Sequence, residues 1–341
     1  MAPTKYTTRT IPKISLHDFP NRIEEITHSL ITAAQTDGFF TLTNHTISTP
    51  EIESQFALSE SFFSLPSDTK SLVPFSHSNT GWEANAQVRP STGFADRKES
   101  YQMQFGSAME GSWLPESVLP GFKVQSLEFM RKCQSVSEKL MLCFARGLGF
   151  EDDYFIKAHD ISRPESQTVL RLLHYFPVDP SVPVPDTYYR AGAHVDWDFL
   201  TLLFQRPHQS GLEICPGREA STAFAMGDTW TKVEPAEGEI VCNIGDLLMS
   251  WSDDRFKSTF HRVKTPQEVG DWFGGRYSMA YFNQPCTDVV IQGPGKKYPA
   301  VTGREFTKRA MERNFRALDE KKRGLAEVRV EEVVVPEGVA V

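Results

Sequence analysis

The chain has 341 residues, 40% of them hydrophobic and 23% charged, the make-up of a globular protein long enough for one large core or two small ones. A net charge of −8, from 36 basic and 44 acidic side chains without a basic run, excludes the phosphate-neutralising surface that nucleic-acid binding requires. Five scattered cysteines with no Cys-x-x-Cys pair, a polar start and no apolar run of membrane length point to a cytoplasmic chain that neither binds zinc through thiolates nor crosses a bilayer.

Residues 1–10 read as a loose arm and Ile11–Leu16 as a short strand. Ile23, Ile26, Leu30 and Ala33-Ala34 recur at helical spacing as far as Asp37-Gly38, a helix stop. Gly38–Asn44 reads as a strand. Pro50–Leu65 reads as a second helix, with Pro50 in its first turn and Pro66 beyond its end. From Val73 to Pro120 no period holds, so the stretch reads as mostly loop; Asp96, Lys98 and Glu99 there suggest a structural ion pair.

Val124, Leu127, Met130, Cys133, Val136, Leu140 and Phe144 form one apolar stripe, ended by Gly147 and Gly149, which predicts a long scaffold helix. Thr168–Phe176 predicts a strand with Leu172, His174 and Phe176 on one face and Arg171, Leu173 and Tyr175 on the other. After a proline-rich crossing, strands are predicted at 211–215, 238–243, 247–251, 258–264 and 276–283, with Gly- and Asp-containing turns between them. Many short strands so divided indicate a two-sheet jelly roll or barrel. Glu305–Leu318 reads as a helix with a solvated face. Val328-Arg329-Val330 and Val333–Pro336 suggest an edge strand, a cover for a pocket mouth or a segment that pairs with another subunit.

Within this pattern, His194-Val195-Asp196 stands at the head of the apolar run Phe199–Phe204. On a strand, residues two apart face the same way, so the imidazole and the carboxylate can serve one divalent metal. His261, in another strand-like run, offers a third ligand, and two His with one carboxylate is the usual holder of non-haem Fe(II). Fifteen residues on, Arg276 and Ser278 share one strand face, a guanidinium beside a hydroxyl suited to gripping a carboxylate.

The order His-x-Asp, distant His, Arg-x-Ser resembles the Fe(II)/2-oxoglutarate-dependent dioxygenases, in the branch that includes isopenicillin N synthase. Asn243–Leu248, Ile11–Leu16, Gly38–His45, Phe62–Pro66 and Asp96–Glu99 are similar to further stretches of that family, and the likeness covers roughly residues 10 to 320. The resemblance implies a fold that is mainly β with flanking helices around a double-stranded β-helix (jelly roll). It divides the chain into an amino-terminal helical and strand region (1–120), the oxygenase core (121–320) and a tail (321–341). It further implies Fe(II) on His194, Asp196 and His261, 2-oxoglutarate held by Arg276 and Ser278, O2 as oxidant, and a small-molecule substrate oxidised at an unactivated C–H bond. Hydroxylation, desaturation and ring closure all remain open, and fungal relatives of similar style suggest specialised metabolism.

Substrate contacts are expected from Arg89, His174, Phe176, Trp197 and Asn243. His174 has the alternative of a satisfied wall histidine, and Asn243 that of a turn cap. In some plant members a tyrosine at the position matching Phe176 helps hold 2-oxoglutarate; Phe176 lacks that hydroxyl. Tyr175 reads as packing, and Asp198 as a solvated carboxylate where the family often has glycine. Two other readings share the motif: an isopenicillin N synthase-like oxidase that uses O2 and iron without 2-oxoglutarate, and a non-catalytic metal-binding protein. Oligomeric state is not legible.

Overall fold

In the computed structural model, residues 4–185, 188–215 and 229–313, with 316, 320 and 323, are described. Chain order begins with β1 (Lys5–Tyr6), β2 (Lys13–Ser15), α1 (Phe19–Thr36), β3 (Phe39–Thr43), α2 (Thr49–Phe63), the short α3 (Ser67–Lys70), β4 (Gly81–Ala84) and β5 (Lys98–Met103). It continues with α4 (Phe122–Leu148), α5 (Tyr154–Ala158), β6 (Val169–Tyr175), β7 (Ala191–His194), β8 (Leu200–Gln205), β9 (Leu212–Cys215), β10 (Thr229–Lys232) and β11 (Ile240–Ile244). Then come α6 (Asp246–Trp251), β12 (Phe260–Val263), β13 (Arg276–Asn283) and a two-stranded ribbon, β14 (Val290–Ile291) with β15 (Val301–Thr302).

The strands form two sheets, the larger in the order β2-β3-β11-β8-β13-β6-β5-β4 and the smaller β1-β10-β9-β12-β7. Facing each other, they make the jelly roll with flanking helices that the sequence leads one to expect. Strand parity divides the large sheet's residues between two surroundings. On β6, β8 and β13 the outward set Leu170, Leu172, Leu202, Phe204, Met279 and Tyr281 is buried beneath α4 and its neighbours in the main hydrophobic cluster. Between the sheets the apolar contacts are sparser, with Phe39, Leu212, Ile214 and Val241 at one end and Leu173, Tyr175, Ala191, Val263 and Ala280 at the other. Between those ends the inner faces carry buried polar side chains, among them Thr201, Asn243, Arg276 and Ser278.

Local chemistry fixes the helices that frame the sheets. Glu51 reaches back to accept the Ser48 N–H at 2.7 Å and Pro50 lies in the first turn, so α2 starts where the sequence places it. After α1 the chain turns through Gly38, whose φ of +67° disfavours a side chain; a Cβ there would stand 2.1 Å from the Lys257 carbonyl oxygen.

Three elements differ from the sequence reading. Leu247–Trp251 is not a strand but most of α6, in which Leu247, Leu248 and Trp251 bury one helical face and Asp246 occupies the first turn. The supposed loop 73–120 contains β4 and β5. Lys98–Met103 is buried throughout, yet its polar side chains hide the alternation that would mark a strand. Within the arm, Lys5–Tyr6 pairs in parallel with Thr229–Trp230. Residues 303–313 are helical, and the segment 324–341, with its possible edge strand, lies outside the described residues.

Candidate metal and carboxylate site

β7 ends at His194, and Asp196 follows in the turn 195–199 rather than on the strand itself. The turn is pinned by the start of α6: the Asp246 N–H donates to the Asp196 carbonyl at 2.9 Å and the Leu247 N–H to that of Asp198 at 3.2 Å. Gly245 makes this approach possible, since a Cβ there would lie 2.0 Å from the Asp198 carbonyl oxygen. Across the small sheet, His261 on β12 stands directly opposite His194 in the antiparallel register. The two rings are 4.3 Å apart, and Phe39 meets His261 edge-on.

One ligand atom from each of His194, Asp196 and His261 lies within 4.8 Å of the others. Asp196 Oδ1 faces His194 Nε2 at 3.8 Å and His261 Nε2 at 3.7 Å. Each imidazole has Nδ1 on a backbone carbonyl, of Gly192 at 2.8 Å and of Thr259 at 3.3 Å. A carbonyl can only accept, so Nδ1 carries the proton and Nε2 presents its lone pair inward. Burial, then the nearby Arg89 charge, holds the His194 pKa well below the ordinary imidazole value, which keeps that ring neutral. Three lone-pair donors converging on one point repel each other unless a cation sits between them, and two imidazoles with one carboxylate suit Fe(II).

Asp196 Oδ2, turned away from the histidines, accepts from Thr201 Oγ1 at 2.6 Å and Asn243 Nδ2 at 2.8 Å. Asn243, expected to touch substrate or to cap a turn, thus orients the carboxylate instead. Asp198 is not solvated. It is 1% exposed and hydrogen-bonded by Thr201, and burial followed by the Asp196 charge raises its pKa well above the carboxylate range. Trp197 is half-buried beside Asp196.

At the other end of the large sheet's inner face, Arg276 is 1% exposed. Its Nη2 donates to Gln205 Oε1 at 2.7 Å, its Nη1 to Ser278 Oγ at 3.4 Å and its Nε to the Gln209 carbonyl at 3.1 Å. Tyr175 pairs opposite it on β6, with the guanidinium carbon 5.1 Å from the ring centre. Arg190 adds a second buried charge, its pKa pushed down to about 10 by burial and by Arg276, with two backbone carbonyls as acceptors. Among the described residues, no carboxylate lies within ion-pair range of either arginine. Two desolvated guanidinium groups without an anion are costly, by several kcal/mol, roughly, and an anionic guest offsets that.

The strand face predicted for β6 is reversed. His174 and Phe176 lie on the outer, helix side. His174 stacks on Tyr277 at 4.5 Å and bonds Glu99 Oε1 through Nδ1 at 2.9 Å, and Phe176 packs edge-on against it. Tyr175, read as packing, looks into the cavity with Arg171 and Leu173. Apolar residues occupy both parities of this strand, so only the pairing of Tyr175 with Arg276 reveals which face is inner. Arg89 sits on the cavity wall along β7, its Nε bound at 2.8 Å to the fully buried Asp96, which also accepts from Lys98 Nζ and the Gly192 N–H. The structural ion pair expected among Asp96, Lys98 and Glu99 forms between Lys98 and Asp96, while Glu99 pairs with Lys70.

A double-stranded β-helix with a His-Asp-His cluster and a buried arginine across one cavity defines a non-haem iron, 2-oxo acid-dependent oxygenase. Sequence comparison agrees with that class: the profile of the 2OG-Fe(II) oxygenase superfamily matches residues 166–285, and that of the non-haem dioxygenase amino-terminal region, described from morphine synthesis, matches 11–116. A proline hydroxylase of Petromyces alliaceus is 32% identical over 81% of this chain and 86% of its own length. A 2-oxoglutarate-dependent dioxygenase of Aspergillus rugulosus is 32% identical over 74% of this chain and 80% of its own. Neurospora crassa T7H, solved with α-ketoglutarate and thymine, superposes with a TM-score of 0.75 at 30% identity, covering 88% of this chain and 96% of that one. The chain belongs to the Fe(II)/2-oxoglutarate-dependent dioxygenase family, and its cofactors are Fe(II) and 2-oxoglutarate.

Proposed function

We propose that His194, Asp196 and His261 hold Fe(II), that Arg276 and Ser278 with Tyr175 bind the distal carboxylate of 2-oxoglutarate, and that the substrate is a small molecule oxidised at an unactivated C–H bond. The observation that carries this reading is the pairing of a lone-pair cluster with a carboxylate-less buried arginine on facing walls of one cavity. Iron with 2-oxoglutarate supplies the activation of O2 that such an oxidation needs. The protein's own residues set the geometry. Thr201 and Asn243 lock Asp196 with Oδ1 toward the histidines; the Gly192 and Thr259 carbonyls hold the imidazoles in the ligating tautomer. Gln205 and the Gln209 carbonyl aim the Arg276 fork, and the surrounding apolar clusters exclude bulk water.

We assign Arg89 and Trp197, which flank the ligand turn, to the substrate side of the cavity. The proline hydroxylase and dioxygenase names of the fungal relatives support a role in specialised metabolism. The buried thiols of Cys133, Cys143, Cys242 and Cys286, which form no disulfide, support a reducing compartment, the cytoplasm, and no helix among the described residues is long and apolar enough to cross a membrane.

The test is succinate release from 2-oxoglutarate with anaerobically loaded Fe(II), followed on admitting air. Succinate is expected only with iron and 2-oxoglutarate together, and is expected to vanish in His261→Ala and Asp196→Ala. Iron-independent turnover, or full activity in either variant, overturns the proposal.

A further inference from the structure

The helix over residues 303–313 follows β15 and returns to the turn that carries Asp196. Its start is fixed locally by a capping box. Glu305 Oε2 accepts from the Thr302 N–H at 2.8 Å, and Thr302 Oγ1 accepts from the Glu305 N–H at 3.2 Å. Few apolar groups dock the helix. Gly303, Phe306 and Ala310 turn toward the protein at the spacing of one helical face, while Arg304, Glu305, Lys308 and Arg309 are exposed. Arg313, three residues after Ala310, falls on that same docked face.

Arg313 Nη2 donates to Asp246 Oδ2 at 2.5 Å. The two ends of this pair differ. The Asp246 side chain is 3% exposed and that of Arg313 44%, so a long side chain reaches from the surface to a buried carboxylate. Among the described residues, no other cation lies within ion-pair range of Asp246. Removing the arginine leaves a buried charge uncompensated, whereas removing the carboxylate leaves a cation that can turn to water.

The backbone of Asp246 links this pair to the metal site. Asp246 is the first residue of α6; its N–H donates to the Asp196 carbonyl at 2.9 Å, and the Leu247 N–H to that of Asp198 at 3.2 Å. One residue is thus held by the terminal helix through its side chain and holds the ligand turn through its main chain. α6 is six residues long, so a shift of its first turn that brings Asp246 toward solvent carries both N–H donors with it.

We propose that Arg313 is a positioning residue for the metal site: by neutralising Asp246 it keeps the first turn of α6 inward and so fixes the turn that presents Asp196. This rests on the reading of His194, Asp196 and His261 as the Fe(II) ligands. Such a coupling is reciprocal, so metal on the ligands also tightens the terminal helix.

The experiment uses the full chain under anaerobic conditions. Fe(II) affinity, read by competition with a chelator, is expected to fall about tenfold in Arg313→Gln and by less in Arg313→Lys, which keeps the charge. In an Asp246→Asn background, Arg313→Gln is expected to change that affinity by less than about twofold, because a neutral amide needs no cation. Hydrogen exchange is compared with and without saturating Fe(II), with α4 as the reference for general stabilisation. In the parent, amides of 303–313 are expected to slow at least about threefold more than those of α4, and Arg313→Gln is expected to lose that excess. Parent-like affinity in Arg313→Gln, an equal loss in the Asp246→Asn background, or no excess slowing in the parent overturns the proposal. A parent that binds no Fe(II) overturns the metal reading and this proposal together, whereas a parent that binds Fe(II) without any dependence on Arg313 overturns this proposal alone.

Discussion

Asn243 Nδ2 donates to Asp196 Oδ2 at 2.8 Å while Oδ1 of the same carboxylate faces both histidines. The amide therefore decides which oxygen is offered to a metal. Without it, Thr201 alone restrains the carboxylate, which is freer to rotate. Asn243→Ala is expected to weaken Fe(II) affinity by about 10- to 100-fold with the fold retained, the usual range for losing such a partner. Competition against a metal chelator measures this, and an unchanged affinity would remove Asn243 from the metal site.

Tyr175 and His174 are adjacent in sequence and opposite in surroundings. Tyr175→Phe deletes a hydroxyl beside Arg276 and Ser278, and is expected to raise the KM for 2-oxoglutarate about fivefold, near 1 kcal/mol. His174→Gln disturbs only the outer packing and the bond to Glu99, so that KM should stay put while stability falls by about 1–2 kcal/mol. Steady-state kinetics and urea melts on the two variants decide it; the opposite pattern would mean that His174 is the inward residue.

Gly245→Ala tests how the ligand turn is held. Its Cβ would collide with Asp198 backbone and side chain at 2.0 and 2.4 Å, so α6 and the turn must separate. The expected cost is about 2–3 kcal/mol of stability together with weakened iron binding, although residue 245 touches no ligand side chain. A variant that melts and binds iron like the parent would show that the turn has slack.

His159 gives the pH prediction. It is fully buried, with Nδ1 on the Phe155 carbonyl, Nε2 without a partner and Phe199 4.6 Å away; burial lowers its pKa from 6.5 to about 4. Between those values the unfolded chain binds the proton and the folded one does not. Its contribution to stability is therefore complete above about pH 6.5 and is lost as pH falls toward 4, by about 3 kcal/mol over the window. His159→Asn, which can keep a donor near Phe155, should show a shallower loss between pH 7 and 5 in metal-free denaturant titrations. Parallel pH profiles for the two proteins would contradict it.

The sequence disclosed the site better than the walls that carry it. His194, Asp196 and His261 were recognisable because ligand chemistry restricts which side chains can serve, and spacing adds to that. Parity on β6 was not recognisable, because Leu170 and Leu172 on one face and Leu173 and Tyr175 on the other are all apolar; burial on both sides abolishes the alternation that separates them. β5 hid for the converse reason, as Lys98, Glu99, Ser100 and Gln102 are polar residues buried by partners distant in the chain, Asp96 excepted. Asp198 looked solvated because an isolated acid usually is. Its burial depends on Gly245, 47 residues later.

His194 and His261 meet as direct cross-strand neighbours, so hydrogen-bonded register, and not the length of any connecting loop, sets their separation. The loop 206–211 before β9 can therefore change in length without altering the iron-binding distances. A one-residue slip of β12 would instead turn His261 away and silence the enzyme at once.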